Sequence, residues 1–282
     1  MKPAMRLQTA NVKARRRAGA RPRILPWIMR GLTCFACLAT GSCDKATQDN
    51  QELIVVFAAS SVADVLREIA DRFEAGRAAR IAITQGASGS LCKQLELGAP
   101  CDIYLPADPA YLDRLQDRDI VLGATRRKLA GNELVVVRSG ADAKTWTTPD
   151  GLLDVGLGPI SMASPEHAPA GRFAMLALKN TGLWDRIASR VIYADNVRLA
   201  GRYVAVRGAQ VGIVYATDAL AFSGEMSVVY RFPHGAHAEI IYEAAACARS
   251  TRRSEASDFI EFAASESAGE IWRRHGFVRD AR

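Results

Sequence analysis

Four serines stand where strands should turn into helices. Ser60 and Ser61 close the run Phe57-Ala-Ala-Ser-Ser61, and Ser88 and Ser90 sit in Gly86-Ala-Ser-Gly-Ser90. Such serines can do three things. They can cap a helix, and Ser61-Val-Ala-Asp64 fits the S-x-x-D/E capping pattern. They can act as nucleophiles, and Gly86 to Ser90 approaches the G-x-S-x-G elbow with Ser90 in the last glycine's place. They can also bind an anion, because a helix N-terminus offers unpaired N–H groups and partial positive charge. A hydrolase would further need a histidine and a carboxylate in reach. The histidines are His167, His234, His237 and His275, and only His167, in Ser164-Pro-Glu-His-Ala-Pro-Ala-Gly171, lies in a plausible loop.

The elements that must position these serines follow from hydrophobic periodicity. Leu53 to Ala58 is a continuous apolar run, expected of a buried parallel strand. Val62, Val65, Leu66, Ile69, Ala70 and Phe73 then recur at helical spacing. Strands are expected over 81–84, 102–105, 133–137, 159–162 and 210–215, with a last segment from Ile240. Helices are expected over 91–97, 109–116, 171–180, 254–265 and 269–275. This alternation predicts an α/β fold with mostly parallel sheets. Ligands of such sheets bind beyond the carboxyl ends of the strands, where Ser61 and Ser88 fall.

Charge and composition narrow the class. The 282 residues carry a formal charge of +7, but residues 1–43 hold nine basic residues and no acid. Removing those nine charges leaves −2 for the rest, so a nucleic-acid partner is not expected. Residues 1–43 read as an export signal: a basic region to Arg30, a short apolar stretch, then small residues before Cys43. Small residues ahead of a cysteine make Cys43 a candidate lipid attachment site, although Thr40 stands where such signals carry Leu. The Cys34-x-x-Cys37 motif lies inside the signal and is set aside; no paired spacing for zinc occurs later. Export permits a disulfide, and Cys92 and Cys101, nine apart, could form one, but of Cys92, Cys101 and Cys247 at least one stays free, and buried thiols are the better reading. Residues 44–51 read as a linker.

Several motifs occur in a recognisable order: Phe57-Ala-Ala-Ser-Ser61, Gly98-Ala-Pro-Cys-Asp-Ile-Tyr104, Ala107-Asp108, Gly131-Asn-Glu-Leu-Val-Val-Val137, Pro165 to Gly171, Gly212-Ile-Val-Tyr-Ala-Thr-Asp218 and Gly276-Phe277. Over about residues 52–278 the chain closely resembles the molybdate-binding periplasmic proteins of bacterial ABC transporters. The resemblance implies a two-domain periplasmic-binding-protein fold of type II, with the ligand cleft between residues 52–132 plus 240–282 and residues 133–239. It implies no enzyme activity and no cofactor. It implies a tetrahedral oxyanion held by the hydroxyls of Ser61, Ser88 and Tyr215 and by backbone N–H groups at Ala170 and Val197. Ser60 is the alternative to Ser61. Molybdate is the ligand implied, with tungstate nearly isosteric and sulfate the alternative of the same fold. The partners implied are an ABC permease and its ATPase, with the binding protein a periplasmic monomer. Cys101 and Leu199 depart from the family's usual Ala and Gln.

Overall fold

The computed structural model describes residues 53–141 and 143–279. The export signal, the linker and Cys43 lie outside the described residues. In chain order the elements are β1 (Leu53–Ala59), α1 (Ala63–Glu74), β2 (Arg80–Gly86), α2 (Ser88–Glu96), β3 (Ile103–Leu105), α3 (Ala110–Gln116), β4 (Arg127–Asn132) and β5 (Leu134–Ser139). They continue with β6 (Ile160–Ala163), α4 (Pro169–Asn180), α5 (Trp184–Ile187), β7 (Val191–Ala194), α6 (Val197–Ala205), β8 (Val211–Tyr215) and α7 (Ala216–Ala221). The chain closes with β9 (Met226–Arg231), β10 (Ile240–Ala246), α8 (Arg253–Ala264) and α9 (Glu266–Arg274).

Two five-stranded sheets result, ordered β2-β1-β3-β10-β4 and β7-β6-β8-β5-β9. Both are mixed rather than mostly parallel. In the first, β2, β1 and β3 run parallel, while β10 is antiparallel to β3 and β4. In the second, β7, β6 and β8 run parallel, while β5 is antiparallel to β8 and β9. The antiparallel pairing follows from the connections. The chain leaves the first sheet through β4 and enters the second through β5 with only Glu133 between them, then returns through residues 232–239 into β10. Strands that pass directly from sheet to sheet have no helix to reverse their direction, so they pair antiparallel with their neighbours.

Helix-bearing connections bring each parallel strand back in register, so all their carboxyl ends open on one side. Strands β1, β6 and β8 are buried over nearly all their length. Helix α1 buries Val65, Leu66, Ile69, Ala70 and Phe73 against the sheet, the 3–4 spacing the sequence predicts. Three strands that the periodicity misses, β4, β7 and β9, are all sheet edges. Strand β7, Val191-Ile-Tyr-Ala194, is apolar but only four residues long, whereas β4 and β9 carry the polar residues that an edge strand tolerates. Arg127-Lys-Leu-Ala-Gly-Asn132 shows this directly.

Candidate anion-binding site

A small cavity lies where the two sheets' strand ends meet. Its lining includes Ser60, Ser61, Ser88, Ala170, Val197 and Tyr215, with Asn196 and Ala107 beside them. Its empty volume is about 210 Å³. All five expected positions are therefore brought together, and both Ser60 and Ser61 are in the wall. No charged residue and no histidine lines it.

The first sheet supplies the serines. Strand β1 ends at Ala59, and Ser60 to Val62 form a short 3-10 turn before α1. Neither serine is a helix cap: the N-cap of α1 is Val62, and no side chain caps either helix start. Ser88 is the first residue of α2, whose N-cap Ala87 has no capping side chain. The capping pattern at Ser61-Val-Ala-Asp64 is thus not used, because the 3-10 turn draws Ser61 inward to 2% exposure. Ser88 is equally buried, at 1%.

The hydrogen bonds around these hydroxyls have a consistent polarity. The Ala107 N–H donates to Ser88 Oγ at 3.1 Å, so the Ser88 hydrogen is free to point elsewhere. Ser61 Oγ and the Tyr242 hydroxyl lie 2.8 Å apart. Asn132 gives Tyr242 a donor from behind. Its Oδ1 accepts from the Glu133 N–H at 2.9 Å, so its Nδ2 donates to Thr217 Oγ1 at 2.8 Å and to the Tyr242 oxygen at 3.1 Å. With its oxygen accepting from Asn132, Tyr242 has its own hydrogen free to donate to Ser61, an arrangement that leaves the Ser61 hydrogen for the cavity. The Ser88 oxygen is thus occupied as an acceptor from behind, and with Tyr242 donating to Ser61 both serines can face inward as donors.

The second sheet supplies the rest. Ala170 is the second residue of α4, and Val197 opens α6. First-turn N–H groups have no partner within their helix. Asn196 caps α6 by accepting from the Leu199 N–H at 3.0 Å, which fixes the turn that presents Val197. Leu199, the departure from the family pattern, supplies only a backbone N–H to this cap. Gly171 lets α4 start close under β6, since a Cβ there would run into the Ala163 carbonyl oxygen. Tyr215 ends β8, and its hydroxyl is fully buried with no hydrogen-bond partner. Burial pushes that phenol well above its ordinary range, so it stays protonated at neutral pH and can only be satisfied by a partner in the cavity.

Charges stand just outside this neutral wall, and two arginines bridge the sheets. Arg172, two residues after Ala170, pairs with Asp108, next to Ala107. Arg198, next to Val197, reaches Asp64 at 2.8 Å and Asp218 at 2.9 Å. Asp218 is fully buried; burial pushes its carboxyl up to about 6, with Arg198 pulling the other way. The Gly89 N–H donates to the His167 carbonyl at 2.8 Å, a further bridge, and a Cβ at Gly89 would lie 2.6 Å from that oxygen. Sequence reasoning missed Arg172, Arg198, Asn132 and Tyr242; their partners are far along the chain and no local spacing announces them.

A nucleophile reading gains nothing from this geometry. Among the described residues no histidine ring bonds to Ser61 or Ser88: the His167 contact is through its carbonyl, and the rings of His237 and His275 pair with the Ala238 carbonyl and with Glu68. Among the described residues no cluster of His, Cys, Asp and Glu could hold a metal ion.

Comparisons with known proteins agree with the fold. The chain is 34% identical to the molybdate-binding protein ModA of Escherichia coli over 234 residues, covering 80% of this chain and 88% of that one. The substrate-binding domain of a putative molybdenum ABC transporter from Clostridium difficile superposes with a TM-score of 0.63 at 26% identity, covering 81% of this chain and 99% of that one. The periplasmic molybdate-binding protein of Azotobacter vinelandii superposes with a TM-score of 0.74 at 23% identity, covering 81% and 100%. The family model for bacterial extracellular solute-binding proteins matches residues 54–278. The chain belongs to the bacterial extracellular solute-binding protein family.

Proposed function

We propose that this chain captures molybdate, and tungstate with it, outside the cytoplasmic membrane and delivers it to an ABC permease and its ATPase. One observation carries the reading. Three hydroxyls converge on a neutral cavity: Ser88 with its oxygen accepting from behind, Ser61 held against Tyr242, and Tyr215 with no partner at all. Such a site offers hydroxyl and amide donors and no carboxylate acceptor. A dianion without protons matches it; hydrogenphosphate brings a proton that needs an acceptor, and no carboxylate lines the wall. Ser61, Ser88 and Tyr215 donate from side chains, and Ala170 and Val197 from the backbone at two helix N-termini. No residue of the site is a catalyst. The names of the relatives support molybdate over sulfate, which shares the protonless chemistry.

In this reading residues 52–132 with 240–282 form one lobe and residues 133–239 the other. They hinge at Asn132–Leu134 and at Glu239–Tyr242, and close over the ion as a monomer. Residues 1–43 direct export, and lipid on Cys43 would tether the product to the membrane.

Thermal unfolding with molybdate, tungstate, sulfate and phosphate in turn tests the proposal. A ligand at about 100 times its Kd adds ~2.7 kcal/mol, a clear rise in Tm. Stabilisation by molybdate and tungstate is expected. Stabilisation by sulfate alone would replace the ligand, and none by any of the four would remove the function.

A further inference from the structure

Three cysteines lie in the described part of the chain, all free thiols and all buried in the same apolar cluster with Phe57, Tyr104 and Val121. Cys92 sits within α2, and burial pushes its thiol up to about 11. The other two are neighbours across the first sheet. Strand β10 pairs antiparallel with β3, Ala246 opposite Ile103, and the next rung is made by the Cys247 N–H donating to the Asp102 carbonyl at 2.8 Å. Cys101 adjoins Asp102, and β3 begins only at Ile103, so the chain at Cys101 is free of strand alternation. It turns its sulfur into the cluster that holds Cys247, 3.0 Å from the Ile103 carbonyl oxygen. Cys247 faces Asp102 in this register, so Cys101 is its diagonal neighbour, and the two thiols lie in one buried cluster with their side chains in interaction. The spacing of Cys92 and Cys101 in the sequence allows a different pair; the interaction of the Cys101 and Cys247 side chains across adjacent strands favours Cys247 as the partner.

We propose that Cys101 and Cys247 are a redox pair that closes to a disulfide outside the cytoplasm, stapling the entry to β3 to the end of β10. Members of an extracellular family work where thiol pairs oxidise. The oxidant is a small-molecule or protein disulfide. One cysteine thiolate attacks it, releasing one oxidant thiol and leaving a mixed disulfide. The second cysteine thiolate then displaces the other oxidant thiol. The oxidant's S–S bond is broken, one S–S bond forms in the chain, and the two protons end on the released thiols. In the folded chain the Cys101 sulfur, and after it burial, push the Cys247 thiol up. A scarce thiolate reacts slowly, so the exchange belongs to the stage when β10 is joining the sheet. The bond costs no essential hydrogen bond at Val55, whose carbonyl accepts from the Asp102 N–H at 2.8 Å as well as from the Cys101 thiol.

The bond would close a loop of about 145 residues, a length at which constraint of the unfolded chain is large. Strand β10 also carries Tyr242, which holds Ser61 in place. The inference rests on the family's location and does not depend on the ligand. To test it, the full chain is exported from a bacterial host, denatured in an alkylating reagent without reductant, digested and mapped by mass. The expected product is a linked Cys101–Cys247 peptide two hydrogens lighter than its reduced parts, with Cys92 alkylated. In parallel, reductant should lower the Tm of the parent and of Cys92→Ser by roughly 5 °C or more, and leave Cys101→Ser and Cys247→Ser unmoved. Alkylation of all three cysteines, a bond that includes Cys92, or a parent Tm indifferent to reductant would each overturn the proposal.

Discussion

Removing the Tyr215 hydroxyl separates the two roles a buried tyrosine can have. The ring packs edge-on against Tyr242, with centroids 6.5 Å apart, while the hydroxyl has no protein partner. Tyr215→Phe therefore keeps the packing and removes an unsatisfied group, so the free protein should be as stable as the parent or more so. Molybdate affinity should fall by ~1–3 kcal/mol, the worth of a hydrogen bond to a charged acceptor. Calorimetric titration beside a thermal melt reads both. Ser61→Ala and Ser88→Ala should weaken binding by a similar amount. They differ from Tyr215→Phe in the unliganded protein, because each leaves a donor behind it, Tyr242 or the Ala107 N–H, without its acceptor. Asp218 gives a test by pH. Its folded pKa of about 6 lies above its ordinary 3.8, so the folded state holds the proton more tightly. Its contribution to stability is present below pH ~4 and is lost as pH rises through 6. Asp218→Asn should thus gain on the parent by ~2–3 kcal/mol between pH 4 and 7. Melts at both ends that keep the same gap would deny this.

At the scale of elements, each donor depends on how its helix begins. Asn196→Ala should destabilise the protein by ~1 kcal/mol through loss of the α6 cap and should also weaken binding, since Val197 opens that helix. Asn132→Asp is a sharper probe of donor polarity. A carboxylate at 132 cannot donate to Tyr242, so the chain from Asn132 through Tyr242 to Ser61 loses its first donor. The affinity lost should exceed that of Ser61→Ala, and parity between the two would show that the direction of this chain is irrelevant. Much of this level was legible in the sequence. The apolar run before Ser60, the helical spacing after it and the strand before Tyr215 all stand in the structure. Periodicity failed at three edge strands, where β4 and β9 mix polar and apolar residues and β7 is only four residues long, and at Ser61, where a capping pattern is overridden by a long-range bond to Tyr242. Local spacing carries no record of a partner 181 residues away.

For the whole molecule, the decisive pairs are those that join the sheets. Arg172 with Asp108 and Arg198 with Asp64 each link a helix start in the second lobe to a residue beside a serine in the first. Their charge is spent on aspartates just outside the cavity, so an ion in the proposed site would meet a neutral wall. Losing one such bridge should favour opening. Arg198→Met is expected to speed molybdate release several-fold in stopped-flow displacement and to change association little, since most differences between related complexes lie in dissociation. A slowed association with unchanged release would place Arg198 in capture instead. None of these bridges could be seen in advance, because each joins segments brought together only by the double crossing at Glu133 and at residues 232–239.

The central claim is that a cavity lined by neutral donors, with no carboxylate in its wall, holds a protonless dianion between the two lobes. Calorimetric titration of molybdate, sulfate and phosphate into the parent and into Tyr215→Phe tests it most directly. The account predicts saturable one-to-one binding of molybdate by the parent, no heat with phosphate, and molybdate affinity reduced at least about fivefold in Tyr215→Phe, the low end of one lost hydrogen bond. Equal affinity in parent and variant, or binding of phosphate as tight as molybdate, would contradict it.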